Sequence, residues 1–106
     1  DFKKLEDANV KLDNIKDKQE VLRKKGDDVD AKKTLAELDG EKFAIWTKEA
    51  SPILDKVKDK EKKASMYRSL TGNQEINNKA ELDDYVKTKT EETTKELITL
   101  IFLMVI

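Results

Sequence analysis

The chain has 106 residues, of which 42% are charged and 37% hydrophobic, and its 22 basic and 23 acidic residues leave a net charge of −1. This length fits a single domain, and because the charges are balanced in both halves of the chain, neither half is basic enough to indicate nucleic-acid binding. Cysteine and histidine are absent. Thiolate chemistry is therefore excluded, and the commonest general base and transition-metal ligand is missing.

The first predicted helix covers residues 2–25, because apolar or weakly polar residues recur at alternating spacings of three and four. This pattern is typical of helices that pack side by side. Its positions are Leu5, Ala8, Leu12, Ile15, Gln19 and Leu22. We expect Val10 and Val21 to widen the apolar face. Gly26 is expected to end the helix in the left-handed conformation.

The second predicted helix runs from Val29 to about Ala50, with Asp27 or Asp28 as its N-cap. One stripe of this helix is apolar and consists of Ala31, Leu35, Leu38 and Ile45. Gly40 either lies inside one continuous helix, which we favour, or forms a turn with Asp39 between two shorter helices.

A third helix is predicted from Pro52 to Leu70, with Ser51 as its N-cap, because proline suits the first helical position. Its five lysines between positions 56 and 63 could contact phosphate or anionic lipid. Acidic residues interrupt them and aromatic residues are missing, so we interpret them as a solvated face.

The fourth helix is predicted from about Lys79 to the end of the chain, after a break at residues 71–73. Asn78 and Glu81 have the spacing of a capping box at its start. Tyr67 in the third helix and Tyr85 in the fourth are expected to pack in the core, with their hydroxyls at its edge.

The helix lengths predict how the chain folds. The first two helices have matched lengths and a short loop, which favours an antiparallel hairpin. If the third and fourth helices also pair, the fourth overshoots by about nine residues. We therefore predict an all-α fold, an extended antiparallel bundle of three to four long helices with coiled-coil-like packing. Residues 1–96 would form the charged bundle, and residues 97–106 an apolar tail continuing the last helix.

The tail is the most unusual segment, because only Thr99 among its ten residues is polar. A helix that is apolar all round is normally buried, so a core or an oligomer contact is favoured. It is too short to cross a bilayer unless the chain continues, and reversible lipid contact is a third alternative. Phe43 and Trp46 are the other interface candidates, although their types also suit a core. The candidate contact residues are Phe43, Trp46, Leu97, Ile98, Leu100, Ile101, Phe102, Leu103, Met104, Val105 and Ile106.

No spacing of residues indicates a catalytic, cofactor or metal site, so we expect no enzyme activity, no cofactor and no small-molecule substrate. The function expected is that of a non-enzymatic interaction or structural module, which associates through its helices with a protein partner or a second copy. The alternative is a soluble stalk or ectodomain of a membrane-attached protein, whose tail begins an anchor or inserts into lipid. Asp1 in place of Met is compatible with a removed signal peptide or a fragment. The compartment stays open, with a secreted or cell-surface location favoured over a cytoplasmic one.

Overall fold

The computed structural model describes residues 2–26 and 28–105, without the side chains of Met104 and Val105. The described residues form helices and contain no strand, which confirms the all-α prediction. The chain is elongated, with extents of 54 × 24 × 20 Å. In chain order the elements are α1 (Phe2–Arg23), α2 (Val29–Ala44), a π-helical segment (Ile45–Ala50), α3 (Ser51–Leu54), α4 (Lys60–Thr71) and α5 (Lys79–Val105).

Helix α1 buries the predicted face and no other. The six residues of the three-and-four pattern are buried or half-buried, and all other described residues of α1 are exposed. Val10 and Val21 do not widen this face, since they are 59% and 60% exposed. Both lie off the heptad positions, where a side chain of a straight helix points away from the neighbouring helix. Gly26 takes the expected left-handed conformation, with a φ of 63°.

Helix α2 begins at Asp28, whose carboxylate accepts a hydrogen bond from the N–H of Asp30. Asp27, the alternative N-cap, lies outside the described residues. The helix passes through Gly40 without a turn, as favoured from the sequence. It runs antiparallel to α1, because Lys11 contacts Glu49 whereas Gln19, two turns later, contacts Leu35 and Asp39. The hairpin predicted for the first two helices is therefore present.

The chain stays helical through Ser51 and Pro52, where the sequence predicts a new helix start. Ser51 has helical angles (φ −55°, ψ −44°), and its N–H donates to the carbonyl of Trp46, five residues earlier. In an ordinary α-helix the ring of Pro52 would collide with the carbonyl of Lys48. We attribute the wider π-helical turn to this proline, because such turns let a helix absorb a local misfit. The predicted N-cap at Ser51 is therefore wrong, and the helix ends at Leu54.

The predicted third helix is divided by a non-helical linker, residues 55–59. Its second part, α4, begins after Asp59, whose carboxylate accepts hydrogen bonds from the N–H groups of Glu61 (3.0 Å) and Lys62 (3.3 Å). An aspartate that can cap competes with continuing the helix. The break lets α4 fold back onto α3.

A buried hydrogen-bonded chain ties α4 to α3. The hydroxyl of Tyr67 donates to the carboxylate of Asp55 and lies 2.6 Å from Oγ of Ser51. Because the single proton of Tyr67 goes to Asp55, Ser51 must donate to Tyr67. Tyr67 and Ser51 are fully buried. Burial, reinforced by the bond to Asp55, raises the pKa of Tyr67 above its usual range.

Helix α5 packs along α2, and not mainly against α4 as the predicted second hairpin requires. Asn78 caps it by accepting from the N–H of Glu81 at 2.9 Å, while the Glu81 carboxylate accepts from the N–H of Asn77. The predicted capping pair is therefore present, with Asn77 as the backbone donor in place of Asn78. Ile76 and Leu82 are buried on either side of this start and help to hold it in the core.

Two clusters of buried side chains form the core. The larger gathers residues from α2 through α5, namely Phe43, Trp46, Leu54, Tyr67, Ile76 and Leu82. The smaller joins α1 to α2 and the π-helical segment through Ala8, Ile15, Leu38 and Ile45. Neither cluster includes a residue after position 86, so the C-terminal half of α5 lies outside both.

Candidate interaction surface

An aromatic cluster places Phe43 and Trp46 inside the chain. Their ring centroids are 5.4 Å apart, and Tyr85 of α5 lies 6.2 Å from Phe43 in an edge-on arrangement. Phe43 is 8% exposed and Trp46 5%. Tyr85 is half-buried and in contact with both rings. The helices of this chain therefore cover both interface candidates, and no partner is needed to remove them from water.

The ammonium group of a lysine lies over two rings of this cluster. Nζ of Lys42 lies 5.3 Å from the ring centroid of Trp46 and 5.7 Å from that of Phe43, within the range of cation–π attraction. The same ammonium is 3.2 Å from the carboxylate of Asp39. Nε1 of Trp46 is buried and has no hydrogen-bond partner among the described residues. The cluster has the properties of a packed core rather than of an open ligand site.

The C-terminal part of α5 has one face against α2. Leu97 and Leu100 are half-buried. Leu97 shares two grooves with Ala36, and Leu100 lies beside Lys32 and Leu35. Since Tyr85 lies at the other end of α2, beside Phe43, the two helices run antiparallel. The tail thus lies alongside the first turns of α2, with Leu97 and Leu100 on the side that faces them.

The other side of this segment is exposed. Ile98, Ile101 and Phe102, which we call the outward face, are 52%, 57% and 65% exposed, and Leu103 is 69% exposed. A helix turns 100° per residue, so positions 98, 101 and 102 share one side. Leu97 and Leu100 lie about 120° further around the helix and line the groove with α2. The tail is apolar all round because it carries two apolar faces, of which the chain covers one.

The hydroxyls on this segment are already hydrogen-bonded. Thr99 donates through Oγ1 to the carbonyl of Lys95 at 2.9 Å, and Thr94 donates to the carbonyl of Thr90 at 2.8 Å. A polar group that is bonded within its own helix loses little when water is removed. Another apolar surface can therefore cover the tail without leaving these hydroxyl groups unpaired.

A groove of about 580 Å³ lies between α2 and the C-terminal part of α5. Leu35 and Ala36 contribute apolar surface from α2, and Lys32 and Asp39 add opposite charges. Ala36 was not predicted from the sequence as a residue that lies near the tail. Its spacing of four from Lys32 and Gly40 places it on the α5-facing side, but this reading requires knowing which helix α5 packs on.

The remaining site predictions fall partly outside the described residues. Ile106 is not described, and of Met104 and Val105 only the helical backbone is. Among the described residues, no group of histidine, cysteine or acidic side chains is arranged to hold a metal ion. None of the helices in this part of the chain is long and apolar enough to span a membrane.

The comparisons with known proteins give no relative. The chain matches no known family, and no curated protein or solved structure is significantly similar to it.

Proposed function

We propose that this protein is a non-enzymatic module that acts by helix–helix association, with the outward face of α5 as its main contact. In this proposal the helices form an extended antiparallel bundle with coiled-coil-like packing, which holds α5 in place. The observation that carries the proposal is the exposure of Ile98, Ile101 and Phe102, each more than half exposed, on one side of an ordered helix.

Covering these three side chains removes apolar surface from water. Full burial of one large apolar side chain stabilises by roughly 1.5–3 kcal/mol, so covering a side chain that is already half-buried gains about 1 kcal/mol more. A contact that covers all three gains several times this amount, and the bonded hydroxyl of Thr99 opposes it little. Contiguous apolar surface of this kind marks sites of interaction on soluble proteins.

A second candidate is attachment to lipid, with the rest of the chain as a soluble stalk. It is favoured by the position of Leu103, the most exposed of the described tail residues, near the end of α5. The charges before the tail argue for a protein contact instead. Lys87, Lys89 and Lys95 are matched by Glu91, Glu92 and Glu96, whereas helices that lie on membranes carry an excess of basic residues on their polar face.

Liposome flotation and sedimentation velocity, performed on the same preparations, separate the two candidates. The chain is compared with a triple variant carrying Ile98→Ser, Ile101→Ser and Phe102→Ser. The control is the double variant Val10→Ser and Val21→Ser, which removes similarly exposed apolar side chains from α1. Circular dichroism establishes that all three remain helical.

The proposal predicts that none of the proteins floats, and that the parent and control chains sediment as a larger species than the triple variant. Flotation of the parent and control chains alone would support lipid attachment instead. A parent chain that neither floats nor exceeds the size of one 12.2 kDa chain at high concentration would contradict self-association through this face.

A further inference from the structure

The outward face has the spacing of a helix-pairing contact. Ile98, Ile101 and Phe102 stand at positions i, i+3 and i+4 of one helix, which is the repeat by which two helices interlock. The side of the same helix that carries Leu97 and Leu100 faces α2 across a groove. A further helix placed on the outward face would therefore pack on α5 without displacing any element of the chain.

We propose that the helix covering the outward face is α5 of a second copy, running antiparallel. This inference rests on the proposed function and specifies its partner. A two-fold contact requires only that one surface be complementary to itself, and an uncharged apolar face meets this condition. The net charge of −1 gives little repulsion between copies.

The charges on α5 select the antiparallel direction. The side of α5 that carries Ile98 continues toward the N-terminus through Thr94, Glu91 and Lys87, and these residues are exposed. In a parallel pair Glu91 would face Glu91 of the second copy, and Lys87 would face Lys87, which is unfavourable. In an antiparallel pair in which Ile101 faces Ile101, each Glu91 lies ten residues, about 15 Å, from the centre of the contact, and the two lie on opposite sides of it. The two Glu91 side chains are then about 30 Å apart along the helix axis, so like charges do not meet.

The size of the face sets the expected strength. One large aromatic side chain can bury ~150–250 Å², so the exposed parts of Ile98, Ile101 and Phe102 amount to roughly 350 Å² per copy. This is about half of the ~800 Å² that each partner contributes to a standard stable interface. The dimer is therefore weak and reversible, and its population rises with the concentration of the protein.

Disulfide trapping in the 106-residue chain tests the direction of pairing. Because the chain has no cysteine, each of three single variants carries one thiol. Ile101→Cys places it near the middle of residues 98–105 and keeps a small apolar side chain there. Glu91→Cys places it ten residues earlier, about 15 Å along the helix. Val10→Cys, on an exposed position of α1, measures random collision. Sedimentation velocity is run on each reduced variant beforehand.

A disulfide forms only when the two Cα atoms come within ~4.4–6.8 Å. Antiparallel pairing predicts that mild oxidation links most of the Ile101→Cys chains, and that Glu91→Cys links no more than the Val10→Cys control. Efficient linking of both α5 variants would overturn the antiparallel direction and leave association intact. A larger species without linking at Ile101 would overturn this contact. Single chains in sedimentation together with no linking would overturn pairing with a second copy and leave association with a different protein as the proposed function.

Discussion

Gln19 of α1 donates a hydrogen bond through Nε2 to the carboxylate of Asp39 on α2, over 2.7 Å. Gln19 occupies a position of the packed face of α1 that would otherwise be apolar, and it is 2% exposed. A polar residue at such a position fixes how two helices are aligned along each other, because only one alignment satisfies it. The contact therefore specifies the hairpin of α1 and α2 rather than adding much to its stability.

This arrangement predicts that the two partners differ in their sensitivity to substitution. Asp39→Ala leaves the buried amide of Gln19 with only the distant carbonyl of Leu35, 3.5 Å away, and is expected to lower the free energy of unfolding by about 1–3 kcal/mol. Gln19→Leu removes the polar group itself and is expected to be neutral or stabilising. Urea denaturation of both variants measures this difference, and equal losses would contradict it.

The buried Tyr67 predicts a loss of stability in alkali. An unfolded tyrosine loses its proton near pH 10, whereas folding raises the pKa of Tyr67. Above about pH 10 the unfolded state therefore binds fewer protons than the folded state, and the free energy of unfolding falls as pH rises. Below this pH the contribution is fully present.

The variant Tyr67→Phe isolates this effect. At neutral pH it removes the hydrogen bonds to Ser51 and Asp55 and is expected to cost about 1–3 kcal/mol. Its stability should decline less steeply than that of the parent between about pH 10 and 11. Urea midpoints at three pH values provide the comparison, and parallel declines would show that Tyr67 is not the responsible group.

Replacing glycine with alanine is expected to lower stability at one position of the chain and to raise it at another. A methyl group at either Gly40 or Gly72 would meet no atom within 4 Å, so only the backbone decides. Gly72 ends α4 with a φ of 66°, which alanine adopts at a cost of about 1 kcal/mol. Gly40 lies inside α2, where alanine is better by about 1 kcal/mol. The melting temperature should fall for Gly72→Ala and rise for Gly40→Ala. A change in the same direction for both variants would contradict this expectation.

The fold can be predicted from the sequence where the apolar positions of a segment differ clearly from their polar neighbours. Helix α1 is highly charged, so its few apolar positions stand out, and all six predicted positions are the ones that the structure covers. The prediction failed at Ser51 and Pro52, because proline is usually placed where a helix begins. A π-helical turn before Pro52 let the helix continue, and such a turn leaves no signal in residue spacing.

The candidate surface could be predicted only in part. The sequence identified the tail residues, but in a segment that is apolar on every side no periodicity separates the face toward α2 from the outward face. That distinction depends on α5 packing along α2, which residues distant in the chain determine. Phe43 and Trp46 were ambiguous for a related reason, since large aromatic residues serve both cores and interfaces.

The dependence of the melting temperature on protein concentration tests the central claim most directly. Association of folded chains stabilises them in proportion to the logarithm of concentration, so the midpoint measured by circular dichroism should rise over a hundredfold range. The Phe102→Ser variant, which removes an exposed side chain of the outward face, should show a smaller rise. A midpoint that stays constant for the parent chain over this range would contradict self-association through α5.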